Sequence, residues 1–520
     1  YHFCEIYNFK SLSEIQPVHW DFISYFQNSL SLNSSGNENT LGLVNNFYPD
    51  IFSYSTPYHY MEIWLNVFFV SVLKINGFKC LLFITYTILN STCVLGIISL
   101  LDLILNKKLN FFIAFVFAFI LSFLEPIYFS FYENYEILKY NDGICNTSFF
   151  GHGKKYSTTY IFSIFFVRFF IKKNMHAPLY FVPLISIGSF GGVYFFCVIK
   201  VIKDKLRNKK TSLIYLIIPA FIITFYFLNI LQIPEKYKET TSIYLLDLIL
   251  NNEINFAKLK PIIFNFIFPL FRTIFFLSPF VIITLFLNRK KEPREFKLLL
   301  VGLLILIGGS ITAAIFYGLT DNSQFLYNCI PIFNVIMICY IIAVFNANKK
   351  TLAAVVIVII LFFNIFNNFD FYKKMSNYND FHYVSNNFSK KAINYLDSTY
   401  KWSNYNIGYL YKEKKEINML SERGNNPAIY LNYCNSNPAI VCLNKAIFSN
   451  EASVNHQSKS FSPDYVFEKE NNGYSLEKMI EKFNIKVIIC EGDNVKLRNL
   501  NFKKVFKDSD SDYFFFEAVF

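Results

Sequence analysis

Long apolar runs recur from about residue 78 onward, separated by short polar loops, and the pattern ends near residue 370. A helix needs about 20 apolar residues to cross a hydrocarbon core roughly 30 Å thick. The runs predict about eight spans, at 78–104, 110–129, 177–200, 211–232, 261–288, 298–318, 325–345 and 351–368. Residues 1–60 are polar and form a first loop ahead of them. Residues 61–75 are apolar but short and carry Glu62, Asn66 and Lys74, which predicts a helix lying in the membrane interface. Residues 157–173 are apolar enough to cross, and their placement decides the topology.

Past residue 370 the apolar runs shorten, and Asn, Lys, Ser and Asp become common. Short β-rich runs at 405–411, 428–431, 439–443, 486–490 and 513–519 alternate with helical patterns at 389–396 and 475–483, as in a small α/β domain. The fold class is therefore a polytopic α-helical membrane protein, residues 1–369, with a small C-terminal α/β soluble domain, residues 370–520. Composition agrees. The 520 residues are 53% hydrophobic and 17% charged, against about 25% charged in ordinary soluble domains.

Basic residues set the orientation. They gather at Lys107-Lys108, at 200–210, at 289–297 and at Lys349-Lys350. With all four loops cytoplasmic, 1–77, 130–176, 233–260, 319–324 and everything after 369 face outward. The protein is then a multi-pass protein of the cell's inner (plasma) membrane with an extracytoplasmic C-terminal domain. Most of the +12 net charge lies inside, and no nucleic-acid partner is needed to explain it. If 157–173 crossed, every later basic loop would move outside, so the pattern favours an interfacial or re-entrant segment there. The alternative is that it crosses and a neighbour does not. The chain starts at Tyr1 with no apolar span ahead of the first loop, which points to a start further upstream. Ten cysteines are scattered without metal-ligand spacing, and Cys434 and Cys442 are a candidate pair in an oxidising compartment.

Chemistry concentrates in the first loop. Asp21 lies among aromatic residues, two positions after His19. A carboxylate there can take a proton from a hydroxyl or help hold a divalent metal, and it can also cap a helix starting at Phe22. A second cluster, Tyr58-His59-Tyr60-Met61-Glu62, enters the short helix after Pro57. It reads either as an aromatic anchor or as a site, and Glu62 is the residue an anchor does not require. Arg168 and Arg272 lie inside apolar segments, where a charge needs a partner or a ligand. Arg272, in the outward half of its span, suits a lipid phosphate or snorkels to headgroups. Lys154, in Gly151-His152-Gly153-Lys154-Lys155, is a second phosphate candidate or a solvated loop residue. Asp321 and Gln324 occupy a very short outer turn, where ordinary turn chemistry also explains them. No phosphate-binding glycine loop, serine-hydrolase elbow, zinc-protease or dinucleotide fingerprint is present, which weighs against ATP-driven transport and those hydrolases.

His19-Trp20-Asp21, the Tyr58–Glu62 cluster, the many spans and the outer α/β domain together resemble the GT-C superfamily of integral membrane glycosyltransferases, of the protein mannosyltransferase and aminoarabinose transferase type. The resemblance covers the whole chain in architecture only. It implies transfer of a hexose or pentose from a polyprenyl-phosphate donor to a glycan, lipid or protein acceptor of the cell envelope, with inversion. Asp21 would be the general base. His19, Tyr58, His59, Glu62, Lys154, Arg168, Arg272, Asp321 and Gln324 would bind substrate and membrane lipid. The Asp-Glu pair frequent in that family's first loop is absent, since Phe22 follows Asp21, so a divalent-metal cofactor stays open. The alternative function is a non-catalytic polysaccharide or lipid exporter or flippase.

Overall fold

The computed structural model describes 60–73, 75, 77–106, 108–122, 124, 126, 134–135, 153–173, 175–206, 214–231, 244–287, 293–317, 322–346, 362, 387–399, 406–410, 416–418, 440–442, 447–449, 475–482, 484–507 and 512–519, with Ser29 and Leu32. Its larger part is helical. In chain order the helices are α1 (Tyr60–Leu73), α2 (Gly77–Cys80), a π-helical turn (Leu81–Thr85), α3 (Tyr86–Leu105), α4 (Phe111–Leu121) and α5 (Gly153–Lys173). A broken segment follows, made of a 3-10 turn (Ala177–Phe181), α6 (Val182–Ile185) and a second 3-10 turn (Ile187–Ser189). Then come α7 (Phe190–Leu206), α8 (Ile214–Leu231), α9 (Tyr244–Leu250), α10 (Phe256–Leu287), α11 (Pro293–Ile315), α12 (Gln324–Tyr327) and α13 (Ile330–Asn346).

Local chemistry explains the helix limits. Asn106 takes the left-handed conformation, φ 52°, and ends α3, a role Asn fills where Gly is absent. Asn110 caps α4, its side chain accepting from the Phe112 N–H at 2.9 Å, which satisfies one of the free amides of a first turn. Four helices among the described residues, Leu81–Leu105, Phe256–Ser278, Lys297–Ile315 and Gln324–Ala343, are long and apolar enough to cross a membrane; Met61–Leu73, Phe111–Leu121 and Tyr215–Phe225 are shorter apolar helices. The outward faces are apolar. Phe111, Phe112, Ile113 and Phe115 on α4, Ile217 and Phe221 on α8, and Ile263, Phe264, Ile267 and Phe271 on α10 are all exposed. A soluble monomer rarely shows so large an apolar belt.

Contacts give the helix directions. On α3 and α5, Asn90 meets Ser157, Gly96 meets Ile164 and Ser99 meets Arg168, so the two run parallel. Gly191 and Phe195 of α7 face Thr312 and Gly308 of α11, so these are antiparallel. Gly309 and Gly302 of α11 face Phe325 and Phe333 in turn, so α12–α13 runs back again. Residues 157–173 therefore do not lie along the surface: α5 is buried from Tyr156 to Ile161 and runs inside the bundle. The predicted continuous helix over 177–200 is replaced by the broken segment and α7. His176, just after α5, packs on Phe166, Phe170 and Phe196. Twelve positions on, Gly188 is beside Gln324 and Asn328 near the start of α13. The broken segment is thus a return leg, and α7 then runs in the same sense as α5. In consequence Lys108, Lys172, Lys173, Lys203, Lys205 and Lys297 share one end of the bundle, here called the basic end.

Close approach holds the return leg and α7 in place. A Cβ on Gly192 would sit 2.4 Å from the Ile305 carbonyl oxygen and 2.6 Å from Cys329 Sγ, and one on Gly308 would sit 2.4 Å from Phe195 Cβ. Small residues let helix backbones approach where lipid supplies no hydrophobic drive between helices. The Gln324–Ala343 window is 89% buried, which makes α13 the central helix.

The C-terminal region mixes helices and strands. It holds α14 (Asn387–Thr399), β1 (Asn406–Leu410), β2 (Glu416–Asn418), β3 (Ile440–Cys442), β4 (Ile447–Ser449), α15 (Leu476–Lys482), β5 (Ile485–Glu491), α16 (Val495–Asn499), β6 (Phe502–Lys507) and β7 (Tyr513–Ala518). The five-stranded sheet has order β3-β1-β5-β7-β6, with β3, β1 and β5 parallel and β7 antiparallel to both neighbours; β2 and β4 form a separate parallel pair. The buried strand β5 reads Ile-Lys-Val-Ile-Ile-Cys-Glu, the near-continuous apolar run a covered parallel strand needs. Phe506 and Phe515 stack at 4.7 Å, and Phe388 and Tyr395 from α14 close over Phe506. The sequence pattern missed β6, because Phe-Lys-Lys-Val-Phe-Lys lacks alternation, and it missed β2, β4 and α16, which are only three to five residues long.

Candidate functional site

The end opposite the basic one carries a buried polar tract. Its centre is the first turns of α5, where Tyr156-Ser157-Thr158-Thr159-Tyr160 are all buried, at most 3% exposed. Five polar side chains in succession cannot all face outward on a helix that packs on several neighbours. Three of them, Ser157, Thr158 and Tyr160, bond side chains on three different helices. Ser157 Oγ donates to Asn90 Oδ1 of α3 at 3.2 Å. Thr158 Oγ1 donates to Glu62 Oε1 of α1 at 2.8 Å. Tyr160 OH accepts from Asn334 Nδ2 of α13 at 2.9 Å. Thr159 Oγ1 has no hydrogen-bond partner among the described residues.

Helix α1 is inside out. Glu62, Ile63 and Asn66 face inward and are fully buried, while Trp64 and Phe68 are 56% and 58% exposed. The interfacial helix predicted over 61–75 thus turns its polar side toward protein and its apolar side outward. Asn66 is held from three directions. Its amide nitrogen donates to Ser29 Oγ at 2.9 Å and to the Gly77 carbonyl at 3.2 Å, and its oxygen accepts from Thr85 Oγ1 at 3.2 Å. Thr85 belongs to the π-helical turn, a local widening often found at functional sites. Glu62 is the only residue of the first-loop cluster Tyr58–Glu62, apart from Tyr60 and Met61, that falls within the described residues.

The sequence-derived candidates separate clearly. His19, Asp21, Tyr58, His59 and Asp321 lie outside the described residues. Lys154 is in the first turn of α5, one turn before Thr158, so its backbone shares the Glu62 end. Gln324 opens α12 and is half-buried, its carbonyl near Gly188 and its position at that same end. Arg168 is elsewhere: it is ten residues beyond Thr158 on α5, about 15 Å along the axis, where it bonds Ser99 toward the basic end. The helix thus carries Arg168 away from the Glu62 end. Arg272 is half-buried at the middle of the 32-residue α10 rather than in an outward half, because that helix starts five residues earlier than the predicted span.

The residues that sequence reasoning missed are the hydroxyls and amides: Ser29, Asn66, Thr85, Asn90, Thr158, Thr159 and Asn334. The signal was the run Ser157-Thr158-Thr159 inside an otherwise apolar segment, which is costly unless buried against partners. Chemically, a fully buried carboxylate among hydroxyl and amide groups is a hydrogen-bond acceptor for the hydroxyls of a polyol. Among the described residues no three His, Cys, Asp or Glu side chains converge as metal ligands, and Thr158 meets Glu62 with a hydroxyl. Comparison with protein-family models, curated proteins and solved structures finds no match.

Proposed function

We propose that the chain is a membrane-embedded glycosyltransferase of GT-C type, with its reaction centre at the end of the bundle that buries Glu62. The observation that carries this reading is Glu62 itself, 0% exposed, bonded to Thr158 and three residues past His59. A polyprenyl-phosphate donor requires a site reached from lipid for its tail and a polar pocket for its sugar. The apolar outer face of α1 and its polar inner face meet both needs. The gathering of lysines at the other end supports placing that end in the cytoplasm, which leaves the Glu62 end and the C-terminal domain on the extracytoplasmic side of the inner membrane.

In this reading Asp21 takes the proton from an acceptor hydroxyl of an envelope glycan, lipid or protein. The acceptor oxygen bonds to the anomeric carbon as the bond from that carbon to the phosphate oxygen breaks. The polyprenyl phosphate leaves with the electron pair, and the configuration inverts. Glu62 accepts hydrogen bonds from sugar hydroxyls and fixes the ring. Lys154 stabilises the leaving phosphate. A divalent cation, if used, would be held through Asp21.

Transfer from a radiolabelled polyprenyl-phosphate hexose or pentose in membranes containing the protein tests the assignment. Removing a general base costs roughly 10²–10⁴ in rate, so Asp21→Asn should lose at least two orders of magnitude at unchanged expression. Wild-type turnover in that variant overturns the assignment. The exporter reading draws on the polar side chains that continue along α5 through Ser163 to the Arg168–Ser99 contact, and it requires lipid translocation with no sugar transfer.

A further inference from the structure

At the basic end a second polar group of side chains lies between the return leg, α7 and α8. Tyr180, on the 3-10 turn, is 1% exposed, and its hydroxyl has no hydrogen-bond partner among the described residues. The same holds for Nδ1 of His176, whose ring is enclosed by Phe166, Phe170 and Phe196 at 6.1, 5.1 and 5.3 Å. The Tyr180 ring tilts against Tyr215 of α8 at 5.2 Å. Lys200 Nζ lies 4.9 Å above that same Tyr215 ring and 3.1 Å from Asp204 Oδ2. Lys200 and Asp204 are each 20% exposed and form the rim. Tyr180 and Lys200 thus both meet the Tyr215 ring. Lys172, Lys173, Lys203 and Lys205 stand at the same end.

Buried polar atoms without partners are rare in folded proteins and call for a bound group. The groups here favour an anion. Tyr180 supplies an O–H donor, His176 a ring nitrogen, and Lys200 an ammonium paired with Asp204 at an end that also carries Lys172, Lys173, Lys203 and Lys205. The position is the membrane-proximal rim of a basic bundle end, where anionic headgroups gather. We propose that this space binds the phosphate of an anionic phospholipid headgroup, with Lys200 and Tyr180 as the contacts and His176 beneath them. The Lys200 side chain swings from Asp204 to the phosphate, and the Tyr180 hydroxyl donates to a phosphate oxygen. The site is separate from the Glu62 end and does not depend on the transferase reading.

The test measures thermal unfolding of the full chain in a non-ionic detergent against added phosphatidylglycerol, phosphatidylcholine or inorganic phosphate. Ligand that binds only the folded state raises the midpoint in a concentration-dependent way. Phosphatidylglycerol should raise it, and Tyr180→Phe and Lys200→Gln should each weaken the response about tenfold in apparent affinity, as expected for one charge-assisted hydrogen bond. Without lipid, Tyr180→Phe should unfold within about a degree of wild type, because the hydroxyl it removes is unbonded. If that variant fails to fold, Lys200→Gln carries the test alone. A response to phosphatidylglycerol but not to phosphate identifies a lipid headgroup. An equal, Tyr180-dependent response to phosphate alone identifies a free phosphate ion at the same contacts. Equal responses to phosphatidylcholine and phosphatidylglycerol, or variants that respond as wild type does, overturn the proposal and leave a buried water as the partner of Tyr180.

Discussion

The contact between Thr158 and Glu62 offers a direct measure of how firmly the carboxylate is held. Thr158→Val removes the donor while keeping the shape of the side chain. Both residues are at most 1% exposed, and the bond is 2.8 Å long. Hydrogen bonds between membrane helices average only about 0.6 kcal/mol, because the unfolded chain in lipid also finds partners. A bond to a charged acceptor is worth about 1.5–3 kcal/mol in proteins generally. The second figure applies to an ionised Glu62 and the first to a protonated one, so the coupling energy reads which form the buried carboxyl takes. A double-mutant cycle of Thr158→Val with Glu62→Leu, which removes the acceptor, read by equilibrium unfolding in mixed micelles, should give a coupling energy of about 0.5–1.5 kcal/mol for a neutral acceptor and about 1.5 kcal/mol or more for a charged one. A neutral glutamine can still accept from Thr158, so Glu62→Gln alone should cost less than Thr158→Val alone. A coupling energy below about 0.5 kcal/mol would refute the view that Thr158 holds the Glu62 carboxyl in place.

Two further outcomes follow from packing and from titration. Gly192→Ala pushes a methyl group against the Ile305 carbonyl and should cost about 1–3 kcal/mol, whereas Gly96→Ala meets only the Ile164 side chain at 3.0 Å and should cost clearly less; thermal unfolding in detergent separates the two. In the C-terminal region burial first, and then Asp493, Glu491 and Asp512, push the Cys490 thiol up to about 12. The unfolded thiol ionises near 8.5, so the stability this protonated thiol reflects is complete below that pH and is lost as pH rises toward 12. Cys490 should resist iodoacetamide at pH 8.5 until denaturant is added, and Cys490→Ala should flatten the alkaline fall in stability.

The apolar periodicity of the chain made the helices legible, and the short alternating runs after residue 400 did the same for β1, β3, β5 and β7. The return leg was the main loss. Pro178, Pro183, Gly188, Gly191 and Gly192 punctuate the predicted span 177–200, and they mark the places where the helix breaks. Hydropathy alone averages over such breaks, so the run read as one helix and 157–173 was placed at the interface to keep the lysines on one side. With the return leg in place, α5 sits within the bundle, and Lys108, Lys172, Lys173, Lys203, Lys205 and Lys297 still share an end, while Lys154, Lys258 and Lys260 lie at the other. The site was half legible. Glu62 stood out because an anchor does not need a carboxylate, but the hydroxyls that bind it come from a segment 96 residues away. Arg168 looked like a ligand-binding cation because a charge in an apolar run needs company, and that company is Ser99. Composition cannot distinguish a partner within the protein from a bound phosphate.

The return leg also constrains how the chain enters a bilayer. Its two 3-10 turns and one-turn helix are too short and broken to partition into lipid alone. Gly188 rests on Gln324 and Asn328, which leave the ribosome much later. The packing of residues 177–189 is therefore complete only once α12 and the start of α13 are in place.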